Sequence, residues 1–157
     1  MRGINEILRA NSWKILPLLI LAYVFSYIDR INISFAALGM TSALGLTPEQ
    51  YGFGAGLFFL GYFVFEVPSN LILRRVGAPV WLFRIAVTWG LCTAALAFIA
   101  GEKSFYFLRF LLGVAEAGFV PGMVYYLTYW YPSQQRARIM AMMWASTAIA
   151  GVIAGPW

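Results

Sequence analysis

The sequence predicts an all-α protein that crosses a membrane several times. Its 157 residues are 62% hydrophobic and 11% charged, and the mean hydropathy is +0.77. Ordinary soluble domains carry roughly 25% charged residues, because their surface faces water. Five apolar stretches recur along the chain, each near the ~20 residues that a helix needs to cross a bilayer. Backbone groups in lipid must be hydrogen-bonded within their own segment, so each stretch is predicted to be a helix.

The predicted spans are separated by short connections. The first span lacks a small-residue cleavage site and is longer than a signal-peptide core, which predicts a retained helix. Residues 1–14 are then expected to form a cytoplasmic N-terminus, and residues 15–157 the membrane helices. An odd number of helices, with no polar tail after the last, leads us to expect the N-terminal fragment of a longer protein. The spans cover 15–37, 51–73, 80–100, 105–130 and 139–157.

Basic residues mark alternate connections. Three precede the first span and others flank the second and fourth connections, whereas the first and third connections hold only Lys103. The positive-inside rule then predicts a cytoplasmic N-terminus. We expect a multi-pass protein of the cell's inner (plasma) membrane. The net charge of +5 therefore indicates topology and no nucleic-acid surface, because the basic residues do not gather on one polar face.

The sequence offers few groups for metal or covalent chemistry. It has no histidine and a single cysteine, Cys92, within an apolar run. A zinc cluster, haem ligation by histidine and a disulfide framework are thereby excluded. No nucleophile and base occur together, so we expect neither an enzyme nor a bound metal or cofactor.

Four charged side chains lie inside the predicted spans. A charge at the membrane centre costs about 2.5–3.5 kcal/mol on insertion scales and indicates a functional site. Asp29 and Arg30 lie in the first span, and Arg109 and Glu116 in the fourth. Seven residues are close to two helical turns, so Arg109 and Glu116 are predicted to share one face, about 10 Å apart along the axis. Gly113 lies between them and leaves room for a ligand or a neighbouring helix.

These four charges predict proton-coupled binding of an anion if they share a cavity. Two arginines and two acids sum to zero, so a bound carboxylate adds a negative charge that a proton on Asp29 or Glu116 would neutralise. Burial raises the pKa of a carboxylate, and a neighbouring arginine lowers it. Substrate bound to the arginines can therefore change the protonation of Asp29 or Glu116. The guanidinium fork suits a carboxylate. The alternative is that the four side chains only pair with one another and stabilise the bundle.

Side chains of the second span are further candidates. Glu66 lies near its cytoplasmic end, close to Arg74 and Arg75. An ion pair there would hold a closed gate at the interface. Tyr62, one turn deeper, either contacts the ligand or packs against a helix.

Four blocks of sequence carry a family resemblance. They are Tyr27-Ile28-Asp29-Arg30-Ile31-Asn32, the segment 66–70 leading to 75–77, the segment 109–118 running to Pro121, and the segment 129–132 before 136–138. Together they resemble the major facilitator superfamily, and within it the anion:cation symporters of tartrate, galactonate, glucarate and phthalate. The resemblance covers nearly the whole chain. It implies twelve helices in two halves with the site at the midplane, of which this chain would form the first five.

The resemblance also implies a role for each candidate residue. The expected partners are a small organic anion, protons and the lipid bilayer, with a monomer as the full-length form. One departure concerns the gate, because Arg74 stands where the family usually has an acid, which shifts the acidic partner to Glu66. Arg30 and Arg109 would bind the substrate carboxylate. Asp29 and Glu116 would carry the protons. Tyr27 and Tyr62 would make secondary contacts in the cavity.

The leading prediction is a symporter of sugar acids or of hydroxy- and dicarboxylates such as tartrate or galactonate. One alternative is another facilitator, a neutral-sugar carrier or a drug antiporter, because Gly151 and Gly155-Pro156 resemble an antiporter motif. A second alternative is a membrane anchor or subunit that transports nothing. The pair Arg30 and Arg109 favours the anion.

Overall fold

The computed structural model describes residues 2–153, and within that range it contains α-helices and no β-strand. The predicted all-α fold is confirmed. The helices are α1 (Arg2–Leu44), α2 (Pro48–Val76), α3 (Ala78–Leu96), α4 (Glu102–Glu116), α5 (Phe119–Trp130) and α6 (Ser133–Ile153).

Four segments of the described chain are long and apolar enough to cross a membrane. They correspond to the first four predicted spans and are Lys14–Phe35, Pro48–Val76, Ala78–Leu96 and Glu102–Trp130. The fifth predicted span, 139–157, begins inside α6, and residues 154–157 lie outside the described part. Helix α1 begins at Arg2, so residue 15 is not a helix start. The placement of residues 1–14 in the cytoplasm stays a prediction.

Local sequence signals determine where α2 begins and ends. The Thr47 hydroxyl accepts a hydrogen bond from the Gln50 backbone N–H at 3.2 Å, and the Gln50 side chain accepts one from the Thr47 N–H at 2.8 Å. This reciprocal capping box satisfies backbone donors that a helix start leaves open. Pro48 suits the first helical position because that N–H is not needed. Gly77, with φ +97°, ends the helix in a conformation that favours glycine.

The fourth predicted span is interrupted, in contrast to the continuous helix expected over 105–130. Helix α4 ends at Glu116 and α5 begins at Phe119. Pro121 explains the interruption, because a continuous helix would need its missing N–H to bond the Ala117 carbonyl, and its ring would clash with that carbonyl. Ala117 has φ −56° and ψ 131°, and Gly118 has φ +82°. These angles match a type II turn, which favours glycine at its second central position.

The chain divides into two compact units, each described by itself. One comprises residues 36–123, in which α2, α3 and α4 pack against one another. The other comprises the described residues before position 36 and after position 123. The core of the 36–123 unit contains fully buried apolar side chains from all three helices, among them Phe58, Leu73, Ile85, Phe105 and Leu112.

Large apolar side chains also cover the outer faces of α2 and α3. Phe63 is 76% exposed, Phe83 71% and Leu91 66%. Water would penalise such a surface, whereas lipid tails do not. The outer faces of these helices therefore agree with a multi-pass membrane protein.

Candidate functional site

Arg109 and Glu116 are both buried on one side of α4. Arg109 is 4% exposed and Glu116 is 2% exposed. Gly113 lies between them, and a Cβ there would overlap the Phe58 carbonyl oxygen and approach the Tyr62 backbone nitrogen at 3.0 Å. The sequence left open whether Gly113 makes room for a ligand or for a neighbouring helix, and in the structure it makes room for α2. The face of α4 at Gly113 therefore packs directly against the backbone of α2.

The Arg109 guanidinium lies over an aromatic ring of α2. Its Cζ lies 4.9 Å from the centroid of the Phe58 ring, and Phe58 is 2% exposed. A desolvated contact of this kind is worth about 2 kcal/mol. The contact holds the Arg109 guanidinium against α2.

Glu116 lies where the fourth span is interrupted. It is the last residue of α4, and it falls in the middle of the segment Glu102–Trp130. Interrupted helices near the midplane are the places where transporters bind ions and substrates, because the break brings helix ends and backbone groups to the site. The break therefore lies beside a buried acid, near the middle of that apolar segment.

A serine of α2 hydrogen-bonds to the interruption. The Ser69 hydroxyl donates to the Ala117 carbonyl at 2.7 Å, and the Trp81 indole N–H donates to Ser69 Oγ at 2.9 Å. We call this pair of hydrogen bonds the Ser69 bridge. Ser69 is 5% exposed and Ala117 is fully buried. Because Pro121 has no N–H, the Ala117 carbonyl lacks its usual helical donor. The Ser69 bridge supplies a buried donor in its place.

Asp29 and Arg30 lie in the other compact unit, on α1. Both are half-buried, and Tyr27 is 36% exposed. Ser26, on the same helix, is buried at 4%. The predicted roles of Asp29, Arg30 and Tyr27 stay predictions.

The remaining candidates belong to α2. Tyr62 is half-buried, and its ring lies 6.2 Å from that of Phe58. Glu66 is half-buried, while Arg74 and Arg75 are exposed in the last turn of the helix. The predicted ligand contact of Tyr62 and the gating role of the three charged residues stay predictions. In the part of the chain that the structure describes, no group of three or more His, Cys, Asp or Glu is suited to a metal ion.

Sequence reasoning missed Ser69, Trp81 and Pro121 as parts of the site. The signal for the interruption was present, since Gly118 and Pro121 stand three residues apart inside an apolar run. The proline removes one helical hydrogen bond and the glycine permits the turn. The partner of the freed carbonyl comes from another helix, 48 residues away, and no local pattern identifies it.

Gly118→Ala is expected to destabilise the protein more than Gly45→Ala. Both glycines have positive φ, at +82° and +63°, which costs an alanine about 1 kcal/mol or more. A Cβ at Gly118 would also overlap Ser69 Oγ, whereas nothing lies within 4 Å of one at Gly45. The added overlap is expected to cost a further 1–3 kcal/mol, roughly, measured as the difference in thermal unfolding in detergent. Equal losses would contradict the close contact at Gly118.

Comparison with known proteins agrees with this architecture. The family model described as Major Facilitator Superfamily matches residues 19–157. A putative metabolite transport protein, NicT, of Pseudomonas putida is 52% identical over 98% of this chain and 35% of its own length. A putative tartrate transporter of Agrobacterium vitis is 49% identical over 96% of the chain and 34% of its own. A quinolone resistance transporter of Acinetobacter baumannii is 54% identical over 97% of the chain and 35% of its own.

The chain spans about a third of the length of these curated relatives. All three are named as transporters or transport proteins, which agrees with the prediction that the chain is not an enzyme. The family match covers most of the chain, and the apolar helices agree with a protein that crosses the membrane repeatedly. This chain therefore belongs to the major facilitator superfamily, as its sequence predicted.

Proposed function

We propose that this chain supplies part of a carrier that moves small organic anions across the inner membrane together with protons. The observation that carries the proposal is the burial of Arg109 and Glu116 on one side of α4, with Glu116 at the middle of a segment long and apolar enough to cross a membrane. The substrates are sugar acids or hydroxy- and dicarboxylates such as tartrate or galactonate. Two relatives named as putative tartrate transporters, each 49% identical, support that class.

The chemistry of the two side chains supports a division of roles. A guanidinium stays protonated and presents paired donors that match a carboxylate, so Arg109 holds the anion. A carboxyl group exchanges its proton, so Glu116 carries the coupled proton. Arg30 and Asp29 of α1 provide a second pair of the same kind, and Tyr27 and Tyr62 contact the substrate. Each binding group then lies on a helix, which orients it more firmly than a loop would.

The topology follows from the distribution of charge. The N-terminus lies in the cytoplasm, because basic residues occupy alternate connections. Glu66, with Arg74 and Arg75, forms the cytoplasmic gate at the end of α2. The carrier works as a monomer and alternates access by movement of helical bundles about a central site.

A second candidate function is the export of a drug in exchange for protons. The quinolone resistance transporter is 54% identical to this chain, so the same N-terminal architecture occurs in a protein named for that role. Exchange for protons would use Glu116 as well. The two functions differ in the direction of substrate movement relative to the proton gradient, and uptake experiments separate them.

Glu116→Gln is expected to abolish gradient-driven uptake and to spare exchange of substrate across the membrane. The protein in its full natural length is reconstituted in liposomes and given labelled tartrate, galactonate and related acids, with and without an inward proton gradient. Glutamine keeps the size of the side chain but cannot carry a proton, so uptake driven by the gradient falls by about 100-fold or more. Exchange of external for internal substrate needs no net proton movement and continues.

The matched control is Glu102→Gln, which changes an exposed acid at the start of the same helix and is expected to leave uptake unchanged. If uptake by the unmodified protein is the same with and without the proton gradient, proton symport is contradicted. If the gradient instead drives a quinolone out of the liposomes and no acid enters, drug export is the function.

A further inference from the structure

The Ser69 bridge connects three parts of the 36–123 unit. Ser69 belongs to α2, Trp81 to α3, and Ala117 to the turn between α4 and α5. The two hydrogen bonds measure 2.7 Å to the Ala117 carbonyl and 2.9 Å from the Trp81 indole. One hydroxyl group thus links two helices to the interruption of a third.

The turn depends on this hydroxyl because its carbonyl has lost the usual partner. The Ala117 oxygen would accept from residue 121 in a continuous helix, and that residue is Pro121, which has no N–H. A serine inside a helix often bonds to a carbonyl of its own helix, but Ser69 donates across to Ala117. Burial makes a carbonyl without a partner costly, so loss of the hydroxyl should loosen the turn.

Trp81 sets the direction of the Ser69 hydroxyl. An indole N–H is a donor only, so its bond to Ser69 Oγ occupies an acceptor site and leaves the hydroxyl hydrogen for Ala117. The indole is itself held by Arg84, whose Cζ lies 4.2 Å from the centroid of the ring. The orientation of the bridge therefore comes from α3 rather than from α2 alone.

Glu116 immediately precedes the bridged carbonyl, so the position of its backbone depends on the turn. We infer that Ser69, oriented by Trp81, is a positioning residue that keeps the fourth span interrupted and thereby fixes Glu116 for its part in coupling. The inference rests on the proposed function, because it assigns Ser69 to the step in which Glu116 carries a proton. Ser69 itself contacts neither substrate nor proton in this scheme.

Ser69→Ala is expected to uncouple the carrier without stopping it. Gradient-driven uptake by the full natural protein in liposomes should fall about tenfold, the size expected when a buried acceptor loses its donor. Exchange of external for internal substrate should change by less than about twofold, as for a substitution remote from the binding groups. A serine with a merely structural role would reduce both activities equally, and that outcome would overturn the inference.

Ser146→Ala is the matched control. Ser146 is also buried, at 8%, but its hydroxyl donates to the Met143 carbonyl of its own helix α6. Ser146→Ala removes the same hydroxyl group as Ser69→Ala, but the hydrogen bond that it loses lies within one helix. Both activities should stay within about twofold of the unmodified protein, and a selective loss of gradient-driven uptake here would contradict the special role of Ser69.

Trp81→Phe tests the bridge from its other end. Phenylalanine keeps an aromatic ring but lacks the N–H that orients Ser69, so gradient-driven uptake should fall while exchange continues. Combined with Ser69→Ala, it should cause almost no further loss, because the hydroxyl that it orients is already absent. Losses that simply multiply would show that the two residues act independently and would overturn the bridge.

Hydrogen exchange separates failure of this inference from failure of the proposed function. Amides of residues 112–123 should exchange about tenfold faster in Ser69→Ala than in the unmodified protein, since the turn opens more often. Unchanged exchange there would overturn the inference even if symport is established. Faster exchange in a protein whose uptake ignores the gradient would instead reject proton symport and retain Ser69 as the residue that holds the turn.

Discussion

Gly113→Ala is expected to cause the largest loss of stability of any glycine-to-alanine change among the glycines that the structure describes. A Cβ at Gly113 would overlap the Phe58 carbonyl oxygen and lie 2.9 Å from the carbonyl carbon. Those atoms belong to the backbone of α2 and cannot move aside by changing a rotamer. Overpacking a core usually costs 1–3 kcal/mol, roughly, and occasionally more. Because α2 and α4 would have to separate, we expect about 3 kcal/mol or more, which is measured by thermal unfolding in detergent.

The same substitution at Gly90 is the control, with the opposite sign expected. Gly90 lies inside α3, and nothing stands within 4 Å of a Cβ built there. Alanine is a better helix former than glycine, so Gly90→Ala should stabilise the protein by about 0.5–1 kcal/mol. Similar behaviour of the two variants would contradict the close packing of α2 on α4. Loss of the protein from the membrane fraction for Gly113→Ala alone would agree with it.

Much of the fold follows from the apolar composition of the chain, which indicates that its helices lie in lipid. Long apolar runs predict helices over the first four spans because helices satisfy their own backbone in lipid, and the structure has apolar helical segments of sufficient length within a few residues of them. Apolarity does not determine where a helix begins, since α1 begins at Arg2, well before the first apolar run. The capping box at Thr47 is local and readable, but it was not needed to find α2.

The interruption beside Glu116 shows why some features of the fold do not follow from the sequence pattern. Hydropathy is continuous through residues 105–130, so a pattern based on apolarity predicts one helix. The break depends instead on a single missing N–H at Pro121 and on a donor, Ser69, that is distant in sequence. Membrane helices often keep their prolines because neighbouring groups satisfy the freed carbonyl. Whether a proline interrupts its helix therefore depends on tertiary contacts.

The candidate site was predictable as a set of residues but not as a geometry. Spacing alone placed Arg109 and Glu116 on one side of a helix, because seven residues are nearly two turns. Spacing did not decide whether Gly113 faces a ligand or a helix, and contact with the α2 backbone now decides it. The contact of the Arg109 guanidinium with the Phe58 ring joins two helices and has no signal in the sequence.

Arg109→Ala is expected to weaken binding of the anion strongly, and Arg109→Lys to weaken it less. Alanine removes the positive charge and the paired donors, and breaking a buried charged contact costs 2–5 kcal/mol, roughly, or about 30-fold to several-thousand-fold in affinity. Lysine keeps the charge but presents a single ammonium group without the planar fork. Affinity should then fall about tenfold, the loss expected for one charge-assisted hydrogen bond.

Stabilisation by ligand measures this directly, without relying on transport. A ligand at 100 times its Kd raises the free energy of unfolding by about 2.7 kcal/mol, and one at about three times its Kd by about 0.8 kcal/mol. The anion should therefore raise the Tm of Arg109→Ala by no more than about a third of the shift in the unmodified protein. Arg138→Ala, which changes an exposed arginine of α6, should keep the full shift. If Arg109→Ala is as strongly stabilised by the anion as the unmodified protein, the guanidinium serves the packing on Phe58 and the anion is held elsewhere. A Tm shift that is partly kept in Arg109→Lys and mostly lost in Arg109→Ala assigns the binding to the positive charge of Arg109.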